Sequence, residues 1–279
     1  MDDDTLTDRQ VREMYRETRK GLLETERRAE NISRGAGGIK SETAQHFWAS
    51  VLFTRLIVTF KSISILTPEL KPSAHFDFSA VASLTRNLAE CYLFFFFLCV
   101  DDVSQAEKDA RIIMLNLHDD GSRSRMLGEL KDDAHVEDFE AKRQLVRDDL
   151  KAKLEANDYL SQLPEKRKRE ILKGEKTPFI QDEVIDRTKL DKNDFRFLYR
   201  FFSNHTHTGP VSFYRMTEHD RGYGFPNRLD EGYMTLAMSF ATEMVGLAIE
   251  DMLSLFPHAE ERGRKIRSAE VRGRRSGRR

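Results

Sequence analysis

The stretch 77-DFSAVASLTRNLAECYLFFFFLCV-100 decides the fold. Its apolar residues recur at steps of three and four, which is the spacing of one face of an α-helix. The residues of that face are Val81, Leu84, Leu88, Tyr92, Phe95 and Cys99. Asp77 or Ser79 is predicted to cap the helix at its start. After Glu90 the sequence is apolar on every side, which predicts that the second half is buried in a core.

The rest of the chain has the same helical spacing and no sustained alternation of apolar and polar residues, so an all-α multi-helix bundle is predicted. In the helix predicted from about Ser41 to Ile65, the apolar face is read as Phe47, Val51, Leu52, Leu56 and Phe60. A single helical domain is expected over residues 1–257, with the charge-rich segment 132–190 as a projecting helical insertion. The basic tail 258–279 has few apolar residues and is predicted to be disordered.

Composition and charge limit the classes of protein to which the chain can belong. The 279 residues carry a formal net charge of -1, so overall charge indicates no particular partner. Cys91 and Cys99 lie in one apolar run and are predicted to be buried thiols, which suits a reducing cytoplasm. The apolar run 91–100 has about half of the ~20 residues that a membrane-spanning helix needs. The acidic first residues do not resemble a secretory leader, and a cytoplasmic protein without membrane contact is expected.

The segment 195-FRFLYRFFSNHTHTGP-210 carries the candidate chemistry. A core stripe is predicted along its helix, comprising Phe195, Leu198, Tyr199, Phe202 and His205. Arg200 and His207 fall within about 20° of each other on a different face, whereas His205 is about 140° from Arg200. Ser203 and Asn204 lie between them in sequence. The helix is expected to end at Gly209-Pro210, because proline lacks the backbone N–H.

The spacing from Arg200 to His205, or to His207, resembles the R-x4-6-H signature of the HEPN-like all-helical proteins. Many of those proteins are metal-independent ribonucleases of toxin–antitoxin and phage-defence systems. The resemblance implies an endoribonuclease of a stress or defence system that acts as a homodimer without metal or cofactor. Arg200 would then stabilise charge on the RNA phosphate, and one of the two histidines would accept the 2'-hydroxyl proton. Helical geometry favours His207, and the shorter motif spacing favours His205.

The chain also resembles a group of uncharacterised bacterial helical proteins with an R-x-x-x-E helix followed by an aromatic, a serine and a histidine. Here those residues are Arg86 and Glu90, then Tyr199, Ser203 and His207. The Arg86–Glu90 pair stands where the polar face of its helix gives way to the buried zone. It is predicted to orient groups on a facing helix, and a purely structural salt bridge is the alternative.

Two other readings stay open, and the basic tail is predicted to add a separate contact with RNA. The protein could be a non-enzymatic helical scaffold or nucleic-acid-binding partner in which the same residues only hold helices together. His118-Asp119 resembles the metal-binding dyad of HD-type phosphohydrolases, another all-helical class. The basic tail is predicted to contact the phosphates of RNA through Arg272, Arg274 and Arg275, because such tails bind nucleic acid without reading its sequence.

Overall fold

The computed structural model describes residues 6–129, 134–214, 216 and 221–276. Within these residues every regular element is helical and no strand occurs, so the predicted all-α fold is confirmed. The helices are α1 (Asp8–Ala36), α2 (Ala44–Leu66), α3 (Phe78–Phe95, continued by a π-helical turn Phe96–Val100), α4 (Gln105–Gly128), α5 (Ala134–Glu155), α6 (Asp158–Ser161), α7 (Glu165–Lys173), α8 (Gln181–Ile185), α9 (Lys192–Thr206), α10 (Pro210–Tyr214), α11 (Arg228–Leu255) and α12 (Ala259–Ser276).

The chain divides into two compact units, which differs from the single domain predicted over 1–257. The first unit comprises Met1–Val100 and Thr188–Arg279, and the second comprises Asp101–Arg187. The second unit therefore begins about thirty residues before the charged segment predicted at 132–190, because α4 belongs to it. It has a core of its own, formed by Ala110, Met114, Leu117, Leu154, Leu160 and Ile171. Arg111 is buried in this unit and pairs with Asp101 at 2.7 Å.

Helix α3 follows the sequence prediction closely. Asp77 is its N-cap, and its Oδ1 accepts a hydrogen bond from the backbone N–H of Ala80 at 3.0 Å. Cys91 and Cys99 are free and buried, as predicted. Burial raises the pKa of the Cys91 thiol to about 12, so the thiol stays protonated.

Helix α2 departs from the prediction in the face that it buries. Phe47 and Val51 were assigned to the core, but both are exposed. Leu56 and Phe60 are buried as predicted, and Phe53 is a buried aromatic residue that was not predicted. Because α2 carries apolar residues on nearly all sides, spacing alone does not identify its buried face.

Three helices are long and apolar enough to cross a membrane by length and composition. They are α2, α3 with its π-helical turn, and α11. All three belong to the first unit and contribute buried residues to its core. Cytoplasmic location and the absence of membrane contact stay predictions.

The C-terminal tail is helical over Ala259–Ser276, so the prediction that 258–279 is disordered is wrong for that part. Two glycines explain the packing. A Cβ at Gly35 would lie 1.7 Å from the carbonyl oxygen of Ala259, and one at Gly263 would lie 1.7 Å from that of Asn31. The backbones of α1 and α12 therefore touch without large apolar side chains. The side chains of Arg272, Arg274 and Arg275 lie outside what the structure describes.

Candidate functional site

Helix α9 carries the predicted motif, and the buried side of this helix holds it in place. Asp191 is the N-cap, and its Oδ1 accepts hydrogen bonds from the N–H groups of Asn193 and Asp194. Phe195, Phe202 and His205 are buried, which confirms the predicted core stripe at these positions. Because this stripe fixes the rotation of α9, the polar residues of the motif lie on its remaining sides.

The outer face of α9 carries Arg200, Asn204 and His207, and all three are exposed. Steps of four and three residues put them along one side of the helix. Asn204 donates its side-chain N–H to the backbone oxygen of Arg200 at 3.0 Å. Arg200 and Asn204 line a surface recess of about 490 Å³ together with Arg196 and Phe197. This open face gives a ligand access to a fixed positive charge.

The backbone at the end of this face is strained. His207 is the C-cap of α9, and its N–H donates to the carbonyl oxygen of Ser203 at 3.2 Å. Thr208 follows with φ 48°, a left-handed conformation that is costly for a β-branched residue. Helix α9 thus ends before Gly209-Pro210, as predicted, and Pro210 begins the separate short helix α10, a position that its fixed φ suits. Such strain tends to cluster at functional sites.

Arg86, Glu90 and Tyr199 form a triad between α3 and α9. The Tyr199 hydroxyl donates to Glu90 Oε1 at 2.5 Å. Arg86 Nη2 donates to the same Glu90 oxygen at 2.9 Å and to the Tyr199 oxygen at 3.1 Å. The Arg86–Glu90 pair thus engages a side chain of the facing helix α9, and that side chain is Tyr199. Ser203 Oγ donates to the backbone oxygen of Tyr199 at 2.7 Å, so its hydroxyl forms a hydrogen bond within α9.

His205 is packed inside aromatic side chains, with 4% of its surface exposed. Its ring centroid lies 4.7 Å from that of Phe78 and 4.9 Å from that of Phe201, both edge-on. Burial lowers the pKa of His205 to about 4, and the charge of Arg221 acts in the same direction. The imidazole is therefore neutral at pH 7 and lies on the opposite side of α9 from the Arg200 recess.

His205 instead lines a second cavity of about 360 Å³, which the sequence did not predict. Arg221 and Ser212 line the same cavity and are 5% and 7% exposed. Arg221 Nε donates to Asp230 Oδ1 at 3.1 Å, and its guanidinium carbon lies 4.1 Å from the ring centre of Tyr233. These groups come from separate stretches of chain, and the only local signal for them is the glycine-rich loop at 222–224.

The resemblance to HD-type enzymes finds no support in the arrangement around His118. Its Nδ1 lies 3.2 Å from the carbonyl oxygen of Gly174, and Asp119 pairs with Arg123 at 2.8 Å. Among the described residues, no group of three or more His, Cys, Asp or Glu side chains is arranged to hold a metal ion. His118 and Asp119 thus both make contacts within the second unit.

Comparison with known proteins identifies the family of the chain. Residues 46–224 match the model of a family described as "Family of unknown function (DUF5677)", and the chain belongs to that family. No curated protein matches it, and neither does any solved structure. The matched range covers the triad of Arg86, Glu90 and Tyr199, the whole of α9 and the lining residues of the second cavity up to Gly224.

Proposed function

We propose that this member of the family is a metal-independent endoribonuclease of a stress or defence system, acting as a homodimer. Its catalytic residues are Arg200 and His207 on the outer face of α9. The observation that carries the proposal is that Arg200, Asn204 and His207 share one exposed face, whereas His205 is buried on another. The resemblance to HEPN-like proteins supports the reaction type and the biological setting.

The proposed chemistry needs only the groups on this face. The imidazole of His207 accepts the proton of the RNA 2'-hydroxyl, whose oxygen then attacks the adjacent phosphorus. The guanidinium of Arg200 donates hydrogen bonds to the phosphate oxygens as negative charge builds on them. The bond from phosphorus to the 5'-oxygen breaks, and that oxygen takes a proton as it leaves. We place the acid that supplies this proton on the same face of a second copy, since the resemblance implies a homodimer.

An exposed aromatic residue supports the dimer. Phe197 is 65% exposed beside Arg200, and its ring stacks on that of Phe201 at 6.3 Å. A large apolar side chain next to a charged recess is the kind of anchor that a protein–protein interface buries. We expect Phe197 to be buried between two copies, which would bring two Arg200–His207 faces together around one strand of RNA.

The test is cleavage of labelled single-stranded RNA by the full chain in EDTA. Arg200→Ala and His207→Ala are each expected to lower the rate by about 100-fold or more, the usual contribution of general acid–base or electrostatic catalysis. Arg27→Ala and His258→Ala are the matched controls, since both residues are exposed and distant in sequence from α9. Controls that lose activity as strongly, or a wild-type protein that leaves every RNA intact, would overturn the proposal.

A non-enzymatic scaffold that binds RNA is the second candidate. It is favoured by the triad, in which Arg86, Glu90 and Tyr199 are occupied with one another. In that case the Arg200→Ala protein should bind RNA more weakly while no variant changes cleavage. Electrophoretic mobility shift of the same RNA at several salt concentrations separates the two, because phosphate contacts give salt-dependent binding.

A further inference from the structure

The cavity behind His205 contains hydrogen-bond donors without partners. His205, Ser212 and Arg221 are each more than nine-tenths buried and line it. Among the described residues, neither ring nitrogen of His205 nor the hydroxyl of Ser212 makes a hydrogen bond, and Arg221 uses only its Nε. The unpaired polar atoms of these three side chains can form hydrogen bonds with a group inside the cavity. Groups left unpaired around one cavity point to a bound ligand.

Three of the four carboxylate oxygens around the same cavity already accept hydrogen bonds. Asp230 Oδ1 accepts from Arg221, and its Oδ2 accepts from the N–H of Gly222 at 3.2 Å and from Asn227 Nδ2 at 2.5 Å. Asp77 Oδ1 accepts from the N–H of Ala80 in capping α3. The protein thus offers mainly free donors, so the complementary ligand is rich in acceptors.

The start of α3 adds to this preference. Phe78 and Ser79 open the helix and line the cavity, and their two N–H groups have no partner within the helix, whereas those of Ala80 and Val81 donate to the N-cap Asp77. The positive end of the helix dipole favours a negative group there. Gly222 and Gly224, with φ 75° and 81°, let the opposite wall turn tightly, and a Cβ at Gly224 would lie 2.8 Å from the His75 ring.

We propose that this cavity binds a phosphate monoester group, held by the free Nη atoms of Arg221, the Ser212 hydroxyl, the His205 ring and the first N–H groups of α3. An arginine fork and a helix N-terminus together are a common arrangement for phosphate. The group can come from a free nucleotide or from the terminal phosphate of an RNA. The site is separate from the outer face of α9 and does not depend on the proposed nuclease activity.

Binding should be coupled to protonation of His205. The charged and titratable groups that line the cavity with it are His75, Asp77, Arg221, Tyr223 and Asp230, and the Tyr233 ring lies 6.2 Å from the imidazole. A phosphate dianion beside the imidazole adds negative charge and offers an acceptor to both ring nitrogens, so it favours the protonated form. Uptake of a proton on binding means that affinity for the monophosphate rises as pH falls from about 7.5 to about 6.5, a range in which a phosphate monoester with a second pKa near 6 keeps most of its second charge.

The experiment is titration calorimetry on the full-length protein at constant ionic strength. The probes are inorganic phosphate, adenosine 5'-monophosphate, adenosine, and one short RNA with either a 5'-phosphate or a 5'-hydroxyl. We expect phosphate and the monophosphate to bind and adenosine not to bind. Stronger binding of the 5'-phosphorylated RNA than of the monophosphate identifies an RNA end as the source, and the reverse identifies a free nucleotide.

Two mild variants test the residues. Ser212→Ala should weaken monophosphate binding about tenfold, as expected for a hydrogen bond to a charged group. His205→Phe should keep the aromatic packing, weaken binding and remove its pH dependence. Ser203→Ala is the matched control, because the Ser203 hydroxyl donates to Tyr199 and does not line the cavity. Equal binding of adenosine and its monophosphate, no binding of any probe, or equal effects of Ser203→Ala and Ser212→Ala would overturn the proposal.

Discussion

His205 and His207 lie two residues apart at the end of α9, yet their surroundings are opposite. His205 is enclosed by Phe78 and Phe201 and lines a cavity, whereas His207 is exposed beside Arg200 and Asn204. The difference follows from the helical period, since residues at i and i+2 point to different sides. Two histidines in one short motif therefore have different chemistry, and sequence spacing alone does not say which one acts on a substrate.

The largest expected effect is on RNA cleavage. His207→Ala should lower the rate by about 100-fold or more, because it removes the proposed base. His205→Phe should change the rate by less than about threefold, because the neutral, buried ring of His205 lies on another side of α9. The comparison measures the RNA cleavage rate of both variants in EDTA. Circular dichroism establishes that both are folded. A larger loss in His205→Phe would assign the chemistry to the cavity.

The second effect concerns stability against acid. The pKa of His205 is about 4 in the folded protein, below its ordinary value, so the unfolded chain binds a proton first as pH falls. Stability contributed by the neutral ring is therefore full above about pH 6.5 and is lost toward pH 4, by about 3 kcal/mol at most.

Urea unfolding of wild type and His205→Phe between about pH 7 and pH 4 measures this loss. As pH falls, the free energy of unfolding of wild type should decrease more than that of His205→Phe. A difference that does not vary with pH would mean that the imidazole is not held neutral by its aromatic surroundings.

Sequence spacing predicted the helices and the core side of α9, because these depend on local periodicity. It did not predict the cavity, since Ser212, Arg221 and Asp230 reach His205 only through tertiary packing. It also missed the helix at the C-terminus, because the contact of Gly35 and Gly263 with opposing backbone depends on the absence of side chains and leaves no apolar pattern. Similarly, the apolar sequence of α2 did not reveal that Phe53, and not Phe47, is buried.

A third prediction concerns the triad on the side of α9 that faces α3. Tyr199→Phe removes a hydroxyl that bonds to Glu90 and Arg86, and should lower the free energy of unfolding by about 1 kcal/mol. Arg86→Ala and the double variant complete a cycle. The two effects should not add, because the residues share one network. Additive effects in urea unfolding would show that the triad contributes no joint stabilisation to the packing of α3 on α9.

The smallest expected effect tests the strained residue after His207. Thr208 has φ 48°, which costs an L-residue about 1–2 kcal/mol, whereas glycine adopts it freely but loses more entropy on folding. Thr208→Gly should therefore raise the free energy of unfolding by about 0.5–1 kcal/mol. Thr206→Gly is the matched control, because Thr206 is helical and its hydroxyl donates to the Phe202 oxygen, so this substitution should lower the free energy of unfolding.

If the strain holds His207 on the face of Arg200, Thr208→Gly should also slow cleavage several-fold while stabilising the fold. A variant that is more stable and cleaves RNA at the wild-type rate would show that the strain plays no part in positioning His207.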